Sequence, residues 1–142
     1  MSNVNDILRV KGHDVWSISP DASVYDAIRL MADKKVGALV VMEGSKPVGI
    51  VTETDYMRKV ILKGRTSQGT SVKAIMTTRV LYVNPEQNIE ECMVLMTEKR
   101  TRHLPVIVEG KLIGLISIGD VVKSIIDEQR FTIEQLENYI AG

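Results

Sequence analysis

Two short segments of this chain place a hydroxyl side chain and a carboxylate at a spacing that suits both structure and chemistry. Thr52 is followed three positions later by Asp55, and Ser117 is followed in the same way by Asp120. The spacing is typical of a capping box at a helix start, which is the simplest explanation of either segment alone. A helix N-terminus also suits a phosphate, and an aspartate there could accept the two hydroxyls of a ribose. Both segments are therefore candidates for binding parts of a nucleotide.

A glycine precedes each segment and strengthens the chemical interpretation. Gly49 and Gly114 lie in apolar stretches that have the composition of strands. Glycine weakens a strand, so its presence indicates that some other group approaches the backbone closely there. This argues that the two segments do more than cap helices.

The two segments end a longer pattern that is written twice in the chain. Residues of the first copy recur at a constant offset in the second: Pro20, Lys34, Leu39, Val41, Lys46, Gly49 and Asp55 correspond to Pro85, Lys99, Leu104, Val106, Lys111, Gly114 and Asp120. Units of roughly 60 residues are marginal alone, so the copies are expected to pack on each other. The predicted boundaries are 1–65 for the first copy, 66–128 for the second and 129–142 for a helical tail.

Each copy is predicted to run strand, helix, strand, strand, helix. Brief apolar strands at 15–18 and 80–83 end at prolines, and capped helices then begin after Ser23 and Asn88. Two hairpins follow, at 38–51 and 104–116, with glycine-bearing turns between their strands. The second helices run from Thr52 to about Leu62 and from Ser117 to about Glu128.

Three segments outside this core pattern also carry predictions. The polar stretch 63–71 is predicted to be a mobile linker between the copies. The apolar residues at the N-terminus, 4–8, resemble 72–76 before the second copy, so the N-terminal turn is assigned to the first copy. Thr132 with Gln135 predicts a new capped helix, whose apolar face needs a partner that we expect to be another subunit.

Composition excludes several classes of protein. Lys plus Arg and Asp plus Glu are equal at 18 each, which argues against nucleic acid as a partner. Cys92 is the only cysteine, so no intrachain disulfide can form and a cytoplasmic location is the default. We expect neither a membrane span nor a signal peptide, because no run approaches about 20 apolar residues and the first residues are polar.

Catalytic and metal-binding patterns are missing from the sequence. His13, His103 and Cys92 have no recognisable zinc spacing, so no metal is predicted. No glycine-flanked nucleophile and no lysine-bearing phosphate loop occurs, so the chain is predicted not to be an enzyme.

The doubled architecture, the paired segments after their glycines and the stretch 100–106 together resemble a tandem pair of CBS domains, named after cystathionine β-synthase and often called a Bateman module. The likeness extends from about Val4 to Ile126. It implies an α/β (α+β) fold in which two β-α-β-β-α repeats pack sheet to sheet with pseudo-two-fold symmetry, plus a C-terminal helix. It also implies two clefts for adenosine-containing ligands such as AMP, ADP, ATP, NAD or S-adenosylmethionine.

The resemblance assigns residues to each cleft. In the Asp120 cleft the carboxylate would hold the ribose and Ser117 would lie near the phosphates, and the remaining contacts would be Arg102, His103, Val36, Gly37, Ala38, Val80 and Leu81. In the Asp55 cleft the corresponding pair is Asp55 and Thr52, joined by Val15, Trp16, Thr101 and Leu104.

The two copies differ in charge beside these clefts. Arg102 and His103 in the second copy correspond to Gly37 and Ala38 in the first. Since arginine keeps its charge and pairs with phosphate oxygens, the Asp120 cleft is predicted to be the tighter nucleotide site. Without the resemblance, Arg102 is as simply explained as a solvated surface residue, and His103 as a packing residue.

Three functions fit the sequence to different degrees. The first is a nucleotide-sensing regulatory module, cytoplasmic and homodimeric, that passes its ligand state to an unknown effector protein. The second is a dimerisation scaffold whose aspartates only cap helices. The third, a small nucleotide hydrolase, has no sequence motif in its favour.

Overall fold

The computed structural model of the chain describes residues 2–142, in which five α-helices and five short strands follow one another. The elements are α1 (Val4–Lys11), β1 (Ser17–Ile18), α2 (Val24–Lys34), β2 (Ala38–Glu43), β3 (Lys46–Thr52), α3 (Glu53–Lys59), α4 (Ile89–Lys99), β4 (His103–Val108), β5 (Lys111–Ser117) and α5 (Ile118–Ala141), with 3₁₀ turns at Ile61–Lys63 and Val72–Ala74. The predicted mixed α/β class, with helix, hairpin and helix in each copy, is confirmed.

The first helix of each copy begins where its cap predicts. The Ser23 hydroxyl accepts a hydrogen bond from the Asp26 backbone N–H at 3.1 Å. The Asn88 side-chain oxygen accepts from the backbone N–H groups of Glu90 and Glu91 at 2.8 and 3.2 Å. These bonds satisfy N–H groups that the first turn of a helix leaves unpaired.

The strands form two small sheets, and they differ from the sequence-based prediction at one place in each copy. β1 pairs in parallel with β2, which pairs in an antiparallel manner with β3. The first predicted strand at 15–18 is shortened to Ser17–Ile18. The second, at 80–83, is wrong as a strand, because it contributes only a single parallel bridge between Val83 and Val106 next to the pair of β4 and β5.

The described chain divides into two compact units by its internal contacts, and the predicted boundaries of the repeats stay a prediction. The Asp55 unit contains Val15–Leu81 and Glu109–Leu112. The Asp120 unit contains the residues before Val15, then Tyr82–Val108 and Ile113–Gly142. Each unit therefore combines most of one copy with the segment that precedes the other copy.

Helix α1 shows this exchange in the Asp120 unit. Its first N–H, at Val4, donates to the Gln87 carbonyl at 2.9 Å, and Leu8 is completely buried. In the Asp55 unit the equivalent segment begins with Val72, whose N–H donates to the Ala22 carbonyl at 2.8 Å. Helix α1 therefore packs within the Asp120 unit, although its sequence resembles the segment that precedes the second copy.

The segment 63–71, predicted as a mobile linker, is attached to the start of α2. The N–H groups of Val24 and Tyr25 donate to the carbonyls of Thr70 and Ser67 at 2.8 and 3.0 Å. The Thr70 hydroxyl donates to the Thr66 carbonyl at 2.7 Å, and the Thr70 side chain is buried. These bonds fix the segment within the Asp55 unit.

Helix α5 is continuous through the position where a break was predicted. Thr132 does not cap a new helix, because its hydroxyl donates to the Glu128 carbonyl one turn earlier at 3.1 Å. Such back-bonding satisfies the hydroxyl inside a helix. The predicted C-terminal helix is thus the last part of α5, and its large apolar side chains are exposed within this chain: Phe131, Ile133, Leu136, Tyr139 and Ile140.

Candidate functional site

The Asp55 segment joins the end of β3 to the start of α3. The Thr52 hydroxyl accepts from the Asp55 backbone N–H at 3.2 Å, and Asp55 Oδ2 accepts from the Thr52 backbone N–H at 3.0 Å. This is the reciprocal capping box that the spacing predicts. The structural explanation of the pair is therefore confirmed.

A lysine occupies the other oxygen of the Asp55 carboxylate. Lys59 Nζ, one turn further along α3, lies 3.2 Å from Asp55 Oδ1 and also donates to the Ile75 carbonyl at 2.8 Å. The Asp55 side chain is only 12% exposed. Both oxygens of this buried carboxylate therefore have partners inside the Asp55 unit.

The Asp120 segment repeats the capping geometry between β5 and α5. The Ser117 hydroxyl accepts from the Asp120 N–H at 3.2 Å, and Asp120 Oδ2 accepts from the Ser117 N–H at 2.8 Å. The helix that begins here is the longest in the described chain. Its N-terminus offers partial positive charge next to Ser117.

Lys11, at the C-terminal end of α1, also contacts this carboxylate. Its Nζ donates to Asp120 Oδ2 and to the Leu115 carbonyl, both at 2.6 Å. Among the described residues, hydrogen bonds to Asp120 reach only Oδ2, and the side chain is 24% exposed. Asp120 therefore retains an oxygen, Oδ1, that can accept hydrogen bonds from a ligand.

Lys11 was missed by the sequence analysis, as was Lys59. Lys11 lies 109 positions from Asp120, and no periodic pattern connects residues that far apart. Lys59 could have been found, because an acid and a lysine four positions apart lie on the same helix face.

The pKa values of two side chains, Asp120 and His103, reflect the electrostatics of this site. Burial acts to raise the pKa of the Asp120 carboxyl, but the hydrogen bonds from Lys11 and Ser117 outweigh it and leave that pKa below its ordinary value. Burial lowers the pKa of His103, Lys11 and Arg102 lower it further, and Asp120 partly opposes them. His103 therefore lies in the same electrostatic environment as Lys11 and Asp120.

The backbone places Arg102 next to the start of α5. The Ile118 N–H donates to the Arg102 carbonyl at 2.9 Å. In the Asp55 unit the equivalent bond runs from the Glu53 N–H to the Gly37 carbonyl at 3.1 Å. The two helix starts thus have the same backbone support, but only the Asp120 unit presents a basic side chain at this position.

The two glycines have a different explanation from the one expected. A Cβ at Gly49 would lie 2.8 Å from the Thr77 carbonyl oxygen and 3.0 Å from Met76 Sδ. A Cβ at Gly114 would lie 2.6 Å from Leu8 Cδ2. The close approach at each glycine comes from the segment that precedes the other copy, so these glycines are required by packing and do not by themselves indicate a ligand.

The remaining predicted site residues fall into the two units. Thr101 and Leu104 belong to the Asp120 unit, where the Thr101 hydroxyl donates to the His103 carbonyl at 3.2 Å and Leu104 is fully buried. Those in the Asp55 unit are Val15, Trp16, Val36, Gly37, Ala38, Val80 and Leu81. The grouping of these residues into two clefts stays a prediction.

Two features of the Asp55 unit bear on the residues assigned to the walls of the clefts. Lys34 Nζ lies 4.3 Å from the centre of the Trp16 ring, which is a cation–π geometry. Val36 and Gly37 line a surface cleft of about 400 Å³ that also includes Glu53 and Tyr56, but not Asp55. Ala38 is buried.

The described residues offer no support for a metal site, a reactive cysteine or a membrane-spanning helix. Across 2–142, no group of three His, Cys, Asp or Glu side chains is arranged to hold a metal ion. Burial, and to a smaller extent Glu91, raises the pKa of the Cys92 thiol to about 11, so this cysteine is a weak nucleophile. None of the described helices combines the length and apolar character needed to cross a bilayer.

Comparison with known proteins places this geometry in a family. The profile of the CBS domain matches residues 4–62 and 72–127. The mitochondrial CBS domain-containing protein CBSX3 of Arabidopsis thaliana is 40% identical over 151 residues, which cover 99% of this chain and 73% of that protein.

Solved structures agree with the fold. A protein with CBS domains from Burkholderia ambifaria, assigned provisionally to signal transduction, shares 53% identity and a TM-score of 0.87, covering 90% of this chain and 96% of that one. The CBS domain pair of MJ0100, solved with 5′-methylthioadenosine and S-adenosyl-L-methionine, has a TM-score of 0.79 at 18% identity, covering 90% and 98% of the two chains. This chain therefore belongs to the CBS domain family and contains a pair of these domains.

Proposed function

We propose that this CBS domain pair is a regulatory module that binds an adenine nucleotide, AMP, ADP, ATP or NAD, at Asp120. The observation that carries the proposal is the environment of that carboxylate. Its Oδ1 receives no hydrogen bond from the described residues, whereas Lys11 and Ser117 engage Oδ2. A ribose hydroxyl can donate to Oδ1 while basic groups and the start of α5 face a phosphate.

Related proteins support the same ligand class. The MJ0100 pair binds adenosine compounds, and its fold covers 90% of this chain. At 18% identity the likeness concerns the fold, so the choice of adenosine ligand rests on the residues around Asp120. No metal is required in this proposal, because the phosphate is neutralised by side chains.

A thermal-shift screen of AMP, ADP, ATP, NAD and S-adenosylmethionine, followed by calorimetry on the best compound, tests the proposal. A ligand that binds only the folded chain raises the melting temperature by an amount that grows with the logarithm of its concentration over Kd. Guanosine and cytidine nucleotides serve as matched controls for general phosphate binding. If no adenosine compound raises the melting temperature at millimolar concentration, the proposed function is wrong.

The output of the module is proposed to go to a partner protein. A ligand can change such a partner's response only if it binds two arrangements of the module with different affinity. We propose that the chain is not an enzyme, and incubation with ATP followed by chromatography of the products tests this. Turnover that is lost in the Asp120→Asn variant would contradict it.

A second candidate, a homodimeric scaffold, is favoured by the exposed face of α5. Ile133 and Leu136 lie on this face and are 54% and 57% exposed within the chain. Burial of such side chains between two subunits would stabilise a dimer by the hydrophobic effect. Light scattering on the chain without residues 131–142 tests it, since an unchanged mass would remove the tail from the interface.

A further inference from the structure

Lys11 is an unusual component of the Asp120 environment because it comes from another part of the chain. It lies before the first copy in sequence, yet its ammonium contacts the carboxylate of the second copy. Its two hydrogen bonds, to Asp120 Oδ2 and to the Leu115 carbonyl, leave one of the three ammonium N–H groups without a partner among the described residues. The side chain is 34% exposed, so a ligand can reach that group.

The charges around Asp120 do not cancel. Lys11 is paired with Asp120 at 2.6 Å, which neutralises the carboxylate. Arg102 is exposed and forms no ion pair with any acid in residues 2–142, so its positive charge has no local partner. This local excess of positive charge favours an anionic ligand.

We propose that Lys11 makes the Asp120 site selective for phosphate-bearing adenosine ligands over neutral adenosine compounds. The inference rests on the proposed function, since it assumes that a ribose binds at Asp120. The ribose hydroxyl takes Oδ1, and the third N–H of Lys11 donates to a phosphate oxygen. A neutral nucleoside gains the ribose contact only, and it leaves the third N–H of Lys11 and the charge of Arg102 without a negative partner.

The Asp55 unit provides the internal contrast. Lys59 also pairs with its aspartate, but it occupies Oδ1 at 3.2 Å and its second bond goes to the Ile75 carbonyl. Gly37 stands where the Asp120 unit has Arg102. Lys59 is more exposed than Lys11, at 44%, but both oxygens of its carboxylate have partners, so Lys59 is the matched control for Lys11.

Calorimetry with adenosine and AMP tests the inference, because the two compounds differ only in the phosphate. We expect the wild type to bind AMP more tightly than adenosine. Lys11→Met should reduce the ratio of the two affinities about tenfold, as expected for one charge-assisted hydrogen bond. The Lys11→Arg variant should restore most of the ratio, and Lys59→Met should leave it unchanged.

If the Lys11 variants do not fold, the salt dependence of binding to the unmodified chain still tests the inference. Raising the salt from 0.05 to about 0.5 M should weaken AMP binding several-fold and leave adenosine binding unchanged, because salt screens only the charged contact. Equal salt sensitivity for both compounds would overturn the inference.

The outcomes separate the inference from the proposed function. If the wild type binds both compounds and Lys11→Met weakens both equally, Lys11 only positions Asp120 and the selectivity inference is overturned. If the wild type binds neither compound but binds another adenine nucleotide of the screen, the selectivity inference is overturned and the proposed function stands, whereas binding of no adenosine compound at all overturns both. A selective loss of AMP affinity supports both.

Discussion

The two halves of this chain form the same capping arrangement, which we assign to packing in one half and to ligand binding in the other. In both, a hydroxyl residue and an aspartate form a capping box, and a lysine pairs with the carboxylate. At Asp55 the partners occupy both oxygens, whereas at Asp120 the described partners occupy Oδ2 only. A duplicated motif can thus be a structural element in one copy and a candidate binding site in the other, and the distribution of partners over two oxygen atoms separates them.

The glycines offer the largest expected effect on stability. Gly49→Ala places a methyl group 2.8 Å from the Thr77 backbone oxygen, and Thr77 is held in place because its carbonyl accepts from the Ile50 N–H and its N–H donates to the Ile50 carbonyl. We expect a loss of about 2–3 kcal/mol in the free energy of unfolding, as for overpacking in a dense core. Urea denaturation at neutral pH measures it.

Gly114→Ala is the matched variant in the other copy. Its nearest neighbour is the end of the Leu8 side chain at 2.6 Å, which can change rotamer. The loss should be smaller, about 1–2 kcal/mol, and Leu8→Val should recover part of it. The explanation fails if Gly49→Ala is the milder change, or if Met76→Ala restores its stability fully.

Arg102 and His103, at the start of β4, allow the ligand affinities of the two copies to be compared directly. Arg102→Gly combined with His103→Ala gives the second copy the residues of the first. We expect the AMP affinity to fall tenfold or more, about 1.4 kcal/mol, because the phosphate loses a permanent charge. Calorimetry measures the effect, and an unchanged affinity would show that the charge difference between the copies is irrelevant to binding.

The two lysines are expected to differ in their effect on stability. Lys59→Met leaves the Asp55 side chain, 12% exposed, without its ion partner, whereas Lys11→Met affects Asp120 at 24% exposure. We expect losses of about 1–2 and about 0.5–1 kcal/mol respectively, because an unpaired charge is more costly where it is more buried. The reverse order in urea denaturation would contradict the assignment of Asp55 as the structural copy.

The smallest expected effect is the dependence of stability on pH that comes from His103 and Asp120. The folded chain lowers the pKa of His103, so the unfolded chain binds the proton first as the pH falls below 6.5. The free energy of unfolding therefore decreases as the pH falls from 6.5 to the lowered pKa of His103. The pKa of Asp120 is lowered from 3.8, so its contribution is present above that pH and is lost as the pH falls through the lowered value.

His103→Gln separates these two contributions. The variant should lose less stability than the wild type between pH 7.5 and 5.5, as measured by urea midpoints. An identical decline in both proteins would show that His103 does not carry the effect.

Local signals in the sequence were sufficient for much of the fold. Ser23 and Asn88 start helices as predicted, because a cap and the first turn lie within four residues. The capping boxes at Asp55 and Asp120 follow from the same short spacing. Such features depend on neighbours in the chain, which a sequence displays directly.

Most of the features that sequence reasoning missed depend on distant contacts. The exchange of α1 between copies and the contact of Lys11 with Asp120 have no periodic signal. The predicted helix start at Thr132 was wrong, because an isolated capping pattern cannot be distinguished from a hydroxyl that bonds back within a longer helix. The role of Gly114 was misinterpreted because its close neighbour, Leu8, lies far away in sequence.

Calorimetric titration of AMP into the Asp120→Asn and Asp55→Asn variants tests the central claim most directly. The N-cap residues Thr52 and Ser117 are unchanged, and an asparagine side-chain oxygen can still accept the hydrogen bond from the N-cap N–H, so both variants should fold. We predict that Asp120→Asn weakens AMP binding at least tenfold and that Asp55→Asn changes it less than threefold. Equal effects of the two substitutions, or a larger loss in Asp55→Asn, would contradict the assignment of Asp120 as the ligand site.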